Sequence, residues 1–387
     1  MLKQWVCFLM FAVTPPIFAA ESAPMNTAEV VKSTVTAFMQ KNAVPGVAVT
    51  VYVNGKPESY YFGSANEAKK IPVSKETIFE IGSITKLLTS LLLAQEVDAA
   101  KMQYGDSVSK YLPMLPSDYE DITLLNLATH TSGLPFDAPE NIQSETALVN
   151  YLKSTTPEIP ADVKWIYSNF GIGLLGMAIE KETHKSIDQL YKTKIFMPLH
   201  MTSSGLVIAK KSQRFLAEGH DANGQVTSPV SMPIFASAAA MKMSALDAER
   251  FLSAAIGLPG TPEQILYPIK ATESSYILLP TKNQGLGWLV HKLDAADLFM
   301  QEPKHEPIPI VDEDELERPN YNGDMLIDKT GGTRGFRSYI AVIPNKKTGI
   351  VIFANKSLGN SDLAIAGREI LFTLNHIPKV KSNSEVS

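Results

Sequence analysis

The sequence contains almost no cysteine: Cys7 is the only one among 387 residues. A single cysteine excludes a disulfide framework, a Cys-ligated zinc or iron–sulfur site and a CxxC redox motif. The chain also lacks any block of basic residues, and its 35 Lys and Arg against 40 Asp and Glu give a formal net charge of −5. We therefore expect no nucleic-acid partner, since nothing offers a phosphate backbone an electrostatic footprint.

Clustered histidines are missing as well. The seven histidines stand singly, at positions 130, 184, 200, 220, 291, 305 and 376. An HxHxD-type cluster, which metal-dependent hydrolysis would need, is absent, so neither a metal nor a cofactor is expected.

Long apolar runs are also absent. The one apolar stretch of note, residues 5–13, is too short to span a bilayer and is followed by Pro15-Pro16. With Lys3 before it and the small residues 17–20 after it, this stretch predicts a cleaved secretory signal peptide over residues 1–20. We therefore expect a periplasmic protein without a membrane span, which has lost Cys7 on cleavage.

Two hairpins are predicted near the two ends of the chain. Residues 47–53 form a β-branched run that reaches Asn54-Gly55 and resumes at 60–62, while residues 337–343 and 349–354 flank a second turn. Hairpins this distant in sequence commonly share one antiparallel sheet. Helical spacing without β-branched residues predicts helices in four middle segments: 87–94, 124–129, 172–180 and 245–256.

The fold class that follows is α/β with an all-α lobe. We expect an antiparallel sheet flanked by helices in residues 24–80 and 280–380, with a mainly helical lobe in residues 81–279. A first helix is predicted around residues 28–40. Residues 301–317 are predicted to form a surface loop, and the tail from residue 379 a frayed terminus.

An SxxK motif provides the first candidate for chemistry. Ser83-Ile84-Thr85-Lys86 opens a helix directly after a strand-like segment, so Lys86 lies one turn after Ser83 on the same face. A serine hydroxyl becomes nucleophilic only when a base takes its proton, and a helix N-terminus favours the developing oxyanion. Taken alone, the motif more often marks a helix-capping serine followed by a surface lysine.

Each motif of the set occurs twice, which weakens any single match. Ser107-Val108-Ser109-Lys110 also fits SxxK, and we predict that it only starts a helix. Two further triplets are Tyr167-Ser168-Asn169 and Lys329-Thr330-Gly331, whose second copies, Tyr52-Val53-Asn54 and Lys347-Thr348-Gly349, fall at predicted hairpin turns. What is distinctive is therefore the ordered set: SxxK at a strand-to-helix junction, then YxN, then KTG on a predicted edge strand.

This ordered set, together with residues 130–135 (HTSGLP) and 329–336 (KTGGTRGF), resembles the class C serine β-lactamases of the AmpC type. The likeness extends from residue 44 to residue 356. It implies a serine β-lactamase/penicillin-binding-protein-like fold and hydrolysis of small-molecule β-lactams, with cephalosporins favoured. A monomer is expected.

The resemblance also implies roles for the reacting groups. Ser83 would attack the lactam carbonyl and become acylated, while Lys86 and Tyr167 would share the proton transfers, since a phenolate beside ammonium groups is a credible base. The backbone N–H groups of Ser83 and Gly332 would form the oxyanion hole.

Lys329 completes the predicted catalytic set, and the candidates for substrate binding are Asn169, Thr330, Gly332, Asn360 and Asp137. Lys329 and Thr330 would bind the carboxylate that β-lactams carry, and Asn169 would hold both Lys86 and the amide of the substrate side chain. Asn360 matches an asparagine that contacts the carboxylate in the family. Asp137 stands where the family usually has an amide residue, and its charge could repel an anionic substituent or simply face solvent.

Other departures from the family pattern concern the cavity walls. Leu363 stands where an arginine is common, and Ala239 where an aromatic residue typically walls the pocket. His130 stands where many class C enzymes have tyrosine, and a structural hydrogen-bonding role is the preferred interpretation.

Two alternative functions remain open at this point. D-Ala-D-Ala carboxypeptidases of the penicillin-binding-protein group use the same serine, lysine and tyrosine, and differ in the fate of the acyl-enzyme. Esterases of the wider family are less favoured, because they often replace the lysine that this chain keeps as Lys329.

Overall fold

A nine-stranded antiparallel sheet is the largest element of the structure. The computed structural model describes residues 26–139, 141–157, 159–295, 298–300, 305–308 and 324–379. The strands are β1 (Gly46–Val53), β2 (Lys56–Asn66), β3 (Ile71–Pro72), β4 (Ile78–Glu80), β5 (Lys164–Ile166), β6 (Lys242–Ser244), β7 (Ile277–Leu278), β8 (Asn283–Gln284), β9 (Leu289–His291), β10 (His305–Pro307), β11 (Leu326–Gly332), β12 (Arg337–Ile343) and β13 (Thr348–Ala354). Nine of these strands form the large sheet, in the order β3-β2-β1-β13-β12-β11-β9-β8-β7, whereas β4 pairs with β6 and β5 with β10 in two small sheets. The pairing of β1 with β13 joins the two ends of the chain.

Helices cover both faces of this sheet. They are α1 (Thr27–Asn42), α2 (Thr85–Asp98), α3 (Val108–Tyr111), α4 (Leu124–Thr129), α5 (Glu145–Lys153), α6 (Asn169–Thr183), α7 (Ile187–Leu190), α8 (Ala236–Ala239), α9 (Ala245–Ile256), α10 (Glu263–Glu273) and α11 (Asn360–Leu374). A π-helical segment, Tyr191–Phe196, continues α7. Helix α2 is buried on every side from Thr85 to Glu96, as expected of a helix in the centre of a helical layer.

The alternation of side chains along the strands divides the interior into two cores. Val47, Val49 and Val51 of β1 pack on one face, in a cluster with residues of α1 and α11. Ala48 of β1 and Phe353 of β13 point to the other face, in a cluster with residues of α2, α6 and α9. This period of two is what the β-branched sequence of β1 predicts for a sheet covered on both sides.

The predicted hairpins and helices are confirmed. Asn54 and Gly55 both have positive φ, 51° and 77°, in the two-residue turn between β1 and β2, as an Asn-Gly turn requires. The helix expected near the N-terminus is α1, and the four helices expected in the middle of the chain lie within α2, α4, α6 and α9. The boundaries proposed between the two lobes stay a prediction.

One predicted loop is partly wrong. Of residues 301–317, the structure describes 305–308, and residues 305–307 form β10, which pairs antiparallel with β5. The proline-rich and acidic sequence did not predict this short strand, because its partner β5 lies more than a hundred positions away. The predicted signal peptide, residues 1–20, lies outside the described residues, as does the tail beyond residue 379. Within the described ranges, no helix has the length and apolarity that crossing a membrane requires.

A buried carboxyl group at the end of α10 makes the stability of the fold depend on pH. Glu273 is 1% exposed, and neither of its side-chain oxygens has a hydrogen-bond partner. Lys270 Nζ lies 3.6 Å from one of them. Burial raises the pKa of Glu273 to about 8, and the attraction of Lys270 offsets this only in part.

We predict that Glu273→Gln makes the protein less sensitive to alkaline pH. Because the folded-state pKa is raised, the folded chain keeps a proton that the unfolded chain has lost, and stability falls as pH rises from the ordinary glutamate range to about 8. The slope in this window is at most about 1.4 kcal/mol per pH unit. Thermal unfolding followed by circular dichroism between pH 5 and 9 should show a flatter profile and a higher Tm at alkaline pH.

Glu96→Gln is the matched control, since Glu96 is equally buried but accepts a 2.6 Å bond from Lys194. That variant should lose stability at every pH. An unchanged pH profile in Glu273→Gln would show that the carboxyl group is not the titrating one.

Candidate active site

Ser83 lies in a tight turn that is held against the end of β11. A 3₁₀ turn, Gly82–Ile84, connects β4 to α2. Gly82 has φ of +50°, and a Cβ at this position would lie 2.4 Å from the backbone nitrogen of Gly332. Thr85 Oγ1 donates a 2.6 Å hydrogen bond to the carbonyl oxygen of Gly82. The close approach of two backbones, which only glycine permits here, places Ser83 beside the C-terminal end of β11.

Lys86 is a buried cation whose ammonium group has three acceptors. Its Nζ donates to Ser83 Oγ at 2.9 Å, to Asn169 Oδ1 at 2.6 Å and to the carbonyl oxygen of Ala238 at 3.0 Å. An ammonium group has three hydrogens, so all of them are engaged. Burial lowers the pKa of Lys86, the neighbouring Tyr167 counteracts this, and Lys329 lowers it further.

Tyr167 lies between the two lysines. Its ring centroid is 4.9 Å from Lys86 Nζ and 4.9 Å from Lys329 Nζ. Burial on its own would raise the pKa of Tyr167, but the positive charges of Lys329 and Lys86 outweigh burial and, with the Ser83 hydroxyl, lower the pKa to about 8. The turn that presents this ring is fixed by Ser168, whose Oγ accepts from the backbone nitrogen of Gly171 at 2.8 Å. A fraction of the phenol is therefore ionised near neutral pH.

The ring of His130 packs against the ring of Tyr167. The two rings are 4.4 Å apart, centre to centre, and Nδ1 of His130 accepts a 3.2 Å hydrogen bond from the backbone nitrogen of Ser168. Burial lowers the pKa of His130 well below its usual value, and the charges of Lys86 and Lys329 lower it further. The imidazole is thus neutral with its proton on Nε2, which fits the structural role predicted from the sequence.

Lys329 and Thr330 lie where β11 loses one of its two neighbours. The KTG segment is predicted on an edge strand, whereas in the structure it belongs to β11, an interior strand of the sheet. Its pairing with β9 ends at Asp328, however, while its pairing with β12 continues to Gly332. From Lys329 onward one edge of β11 is therefore open, and this edge faces the cavity that contains Ser83.

Asn169 connects the buried lysine to Asp137. Since Lys86 can only donate, the oxygen of the Asn169 amide must face it, and the amide nitrogen then donates to Asp137 Oδ1 at 2.9 Å. Burial raises the pKa of Asp137, while the hydrogen bond from Asn169 and the charge of Lys86 counteract this. The position at which the family usually has an amide residue thus holds a carboxyl group in direct contact with Asn169.

These residues surround a cavity of about 960 Å³. Seven residues predicted from the sequence line it: Ser83, Asp137, Tyr167, Asn169, Lys329, Thr330 and Gly332. Lys86 lies beneath this surface, and Asn360 is the first residue of α11, with a side chain outside what is described. Ala239 lines the wall, but Leu363 is 1% exposed and belongs to the core between the sheet and α1 and α11.

One wall of the cavity is formed by Trp165 and Gln284, which the sequence did not predict as site residues. Trp165 Nε1 donates to Gln284 Oε1 at 2.9 Å, and both side chains line the cavity next to Tyr167. The only available signal was the position of Trp165 two residues before Tyr167. Gln284 gave no signal in the sequence, because its position depends on the pairing of β8 with β9.

The part of the chain that is described contains no group of three or more His, Cys, Asp or Glu residues suited to a metal ion.

We predict that the Tyr167 phenol titrates near pH 8 and that Lys329→Met moves this titration to higher pH. The reason is that Lys329 is the largest of the charges that lower the pKa of Tyr167. The ionisation is measured as tyrosinate absorbance near 295 nm, in the difference between each protein and the same protein carrying Tyr167→Phe. Lys242→Met serves as control, since Lys242 contacts the carbonyl oxygen of Leu206 instead. A titration unmoved by Lys329→Met would contradict the electrostatic explanation.

A second prediction concerns the backbone contact of Gly82. Gly82→Ala should destabilise the protein by more than the ~1–2 kcal/mol of a left-handed residue, because the new Cβ would also overlap Gly332. Gly105→Ala is the matched control, since a Cβ there meets nothing within 4 Å. Urea unfolding should place the control within ~0.5 kcal/mol of the parent protein. Equal stability of the two variants would mean that the turn can move away from β11.

Comparison with known proteins identifies the family. Residues 31–375 match the β-lactamase family model. A β-lactamase of Lysobacter lactamgenus is 31% identical over 365 residues, which cover 91% of this chain and 93% of that protein. A β-lactamase of Escherichia coli K12 is 30% identical over 392 residues, covering 97% and 100%.

Solved structures similar to this chain also belong to β-lactamases. A mutant class C β-lactamase superposes with a TM-score of 0.84 at 30% identity, covering 92% of this chain and 99% of that one. A β-lactamase/D-alanine carboxypeptidase from Pseudomonas syringae superposes with a TM-score of 0.82 at 27% identity, covering 89% and 98%. The fold class and the resemblance drawn from the sequence are confirmed, and the chain belongs to the β-lactamase family as a class C serine β-lactamase of the AmpC type.

Proposed function

We propose that the protein hydrolyses β-lactams through an acyl-enzyme on Ser83, with cephalosporins as the preferred substrates. The observation that carries this mechanism is the bonding of Lys86. With its three hydrogens on Ser83, Asn169 and Ala238, the ammonium group is a donor and holds the serine oxygen in place. The general base is then the neighbouring group whose pKa lies near neutral, Tyr167.

The proton transfers follow from this arrangement. The Tyr167 phenolate takes the hydroxyl proton of Ser83 as the serine oxygen bonds to the lactam carbonyl carbon, and passes that proton to the lactam nitrogen when the C–N bond breaks. For deacylation, Tyr167 takes a proton from the attacking water and returns it to the Ser83 oxygen as the ester is cleaved. With a pKa of about 8, roughly a tenth of the phenol is ionised at pH 7.

We propose that the substrate binds along the open edge of β11. The backbone N–H groups of Ser83 and Gly332, which adjoin where Gly82 meets β11, would bind the oxyanion. Lys329 and Thr330 would bind the substrate carboxylate. Asn169 would form a hydrogen bond with the amide of the acylamino side chain. The cephalosporin preference is supported by the likeness to class C enzymes.

A second candidate function is D-Ala-D-Ala carboxypeptidase activity. It is favoured by the similar protein from Pseudomonas syringae, which is named a β-lactamase/D-alanine carboxypeptidase. The same acyl-enzyme would form, on a peptide carbonyl instead of a lactam. An esterase is less favoured, because Lys329 is retained on the cavity wall.

We also propose that the chain is exported to the periplasm after removal of residues 1–20 and acts there as a monomer. The short positive region, apolar stretch and small residues of the N-terminal segment support the export proposal. N-terminal sequencing of protein recovered from a periplasmic extract, and its elution volume in size-exclusion chromatography, would test it.

We predict that Ser83→Ala abolishes nitrocefin hydrolysis and removes the covalent adduct with benzylpenicillin, because no other hydroxyl replaces the one that Lys86 holds. Turnover is followed by absorbance and the adduct by mass spectrometry. Ser107→Ala is the matched control: Ser107 belongs to the second SxxK segment and only caps α3 through the backbone nitrogen of Ser109. That variant should lose ~1 kcal/mol of stability and keep its turnover.

The same assay separates the alternatives. Rapid turnover of nitrocefin indicates a β-lactamase, whereas a long-lived benzylpenicillin adduct with release of D-alanine from a D-Ala-D-Ala peptide indicates a carboxypeptidase. Full nitrocefin turnover by Ser83→Ala would overturn the proposed nucleophile.

A further inference from the structure

Two carboxyl side chains, Asp137 and Asp362, are present among the described residues that line the cavity. They lie on different elements. Asp362 is in the first turn of α11, where a negative charge is stabilised by the helix dipole. Asp137 follows Phe136 in the segment after α4 and is hydrogen-bonded to Asn169. Only Asp137 is therefore linked to the groups that hold the nucleophile.

The link from Asp137 to Ser83 consists of three consecutive hydrogen bonds. Asp137 Oδ1 accepts from Asn169 at 2.9 Å, Asn169 Oδ1 accepts from Lys86 at 2.6 Å, and Lys86 donates to Ser83 Oγ at 2.9 Å. The amide of Asn169 cannot reverse without turning its nitrogen toward an ammonium group. Asp137 is thus held at a fixed place, within reach of any substrate group that contacts Asn169.

The remaining charges of the cavity favour anions. Lys86 lies beneath its floor, and Lys329 lies on its wall. Arg337 donates to the backbone carbonyls of Thr333 and Phe336, while Arg368 is paired with Asp328. A negative charge on a substrate side chain would therefore be attracted by these cations and repelled only near the two carboxyl groups, Asp137 and Asp362.

The chemistry of a β-lactam determines which of its atoms reach Asp137. Its carboxylate and its acylamino group flank the reactive carbonyl, so a carboxylate bound at Lys329 and Thr330 leaves the acylamino group on the side of Asn169. The carbon next to the side-chain amide is then the nearest substituent-bearing atom to Asp137. A charge on that carbon interacts with the carboxylate in a partly desolvated cleft, where such interactions are stronger than in water.

We propose that Asp137 is a specificity-determining residue that selects β-lactams with an ammonium group on the carbon next to the side-chain amide and disfavours those with a carboxylate there. This inference rests on the proposed function, because it assumes that β-lactams are the substrates and that Asn169 binds the side-chain amide.

Three penicillins test the proposal. Ampicillin, benzylpenicillin and carbenicillin share one ring system and carry an ammonium group, a hydrogen and a carboxylate, respectively, on this carbon. The measurement is kcat/KM for each at about pH 6.5, below the range in which α-amino groups lose their proton. Because all three are measured at one pH, the ionisation of Tyr167 cancels in their ratios.

Asp137→Asn removes the charge while keeping an oxygen that accepts from Asn169. The ratio of kcat/KM for ampicillin to that for carbenicillin should fall by at least about 10-fold in this variant. Asp362→Asn removes the other cavity carboxylate and serves as control, so its ratio should stay within about twofold of the parent protein. The Tm of both variants, measured alongside, distinguishes lost selectivity from lost folding.

The outcomes separate this inference from the proposed function. If benzylpenicillin is neither hydrolysed nor attached to Ser83, the proposed function fails. If the penicillins are hydrolysed but the ampicillin-to-carbenicillin ratio is unchanged in Asp137→Asn, or falls equally in Asp362→Asn, the selectivity is not due to Asp137 and the inference is overturned.

Discussion

The buried ammonium group of Lys86 is the constraint on which the site depends. A cation removed from water has to be compensated by hydrogen bonds in nearly fixed positions. Lys86 obtains them from Ser83 in its own turn, from Asn169 at the start of α6 and from the carbonyl oxygen of Ala238 in α8. Three elements that are distant in sequence are therefore tied to one point, and Ser83, the proposed nucleophile, is at that point.

A buried ion pair between Asp328 and Arg368 fixes β11 from the opposite face of the sheet. Side chains alternate along a strand, so Lys329 points to the cavity while Asp328 points to the core under α11. There Asp328 accepts from Arg368 Nε at 2.9 Å and from the hydroxyl of Tyr339 at 2.7 Å. Arg368 holds the pKa of Asp328 well below its usual range despite burial. The charge of Lys329, which sets the ionisation of Tyr167, is thus carried by a strand that is anchored on both faces.

The two SxxK segments cannot be told apart by their spacing alone, but they differ in their surroundings. Ser107 and Lys110 match the spacing of Ser83 and Lys86, but in the structure Lys110 pairs with the nearby Asp106 at the surface. The two lysines differ in burial, which follows from the apolar residues after Lys86 and from the helices that cover them. The order of the motifs along the chain singled out Ser83, Lys86 and Tyr167, and the structure brings these three side chains together at one cavity.

The sequence by itself determined the hairpins, the main helices and the family, since these depend on turn residues, on the period of the apolar pattern and on motif order, and it supplied the candidates for the reacting groups. Only the tertiary structure decided that Asn169 turns its nitrogen to Asp137, that His130 stays neutral, that Trp165 and Gln284 form one wall, and that the KTG segment is open on one side of an interior strand. These features arise from contacts between residues far apart in the chain, and their energies depend on burial and on the direction of individual hydrogen bonds.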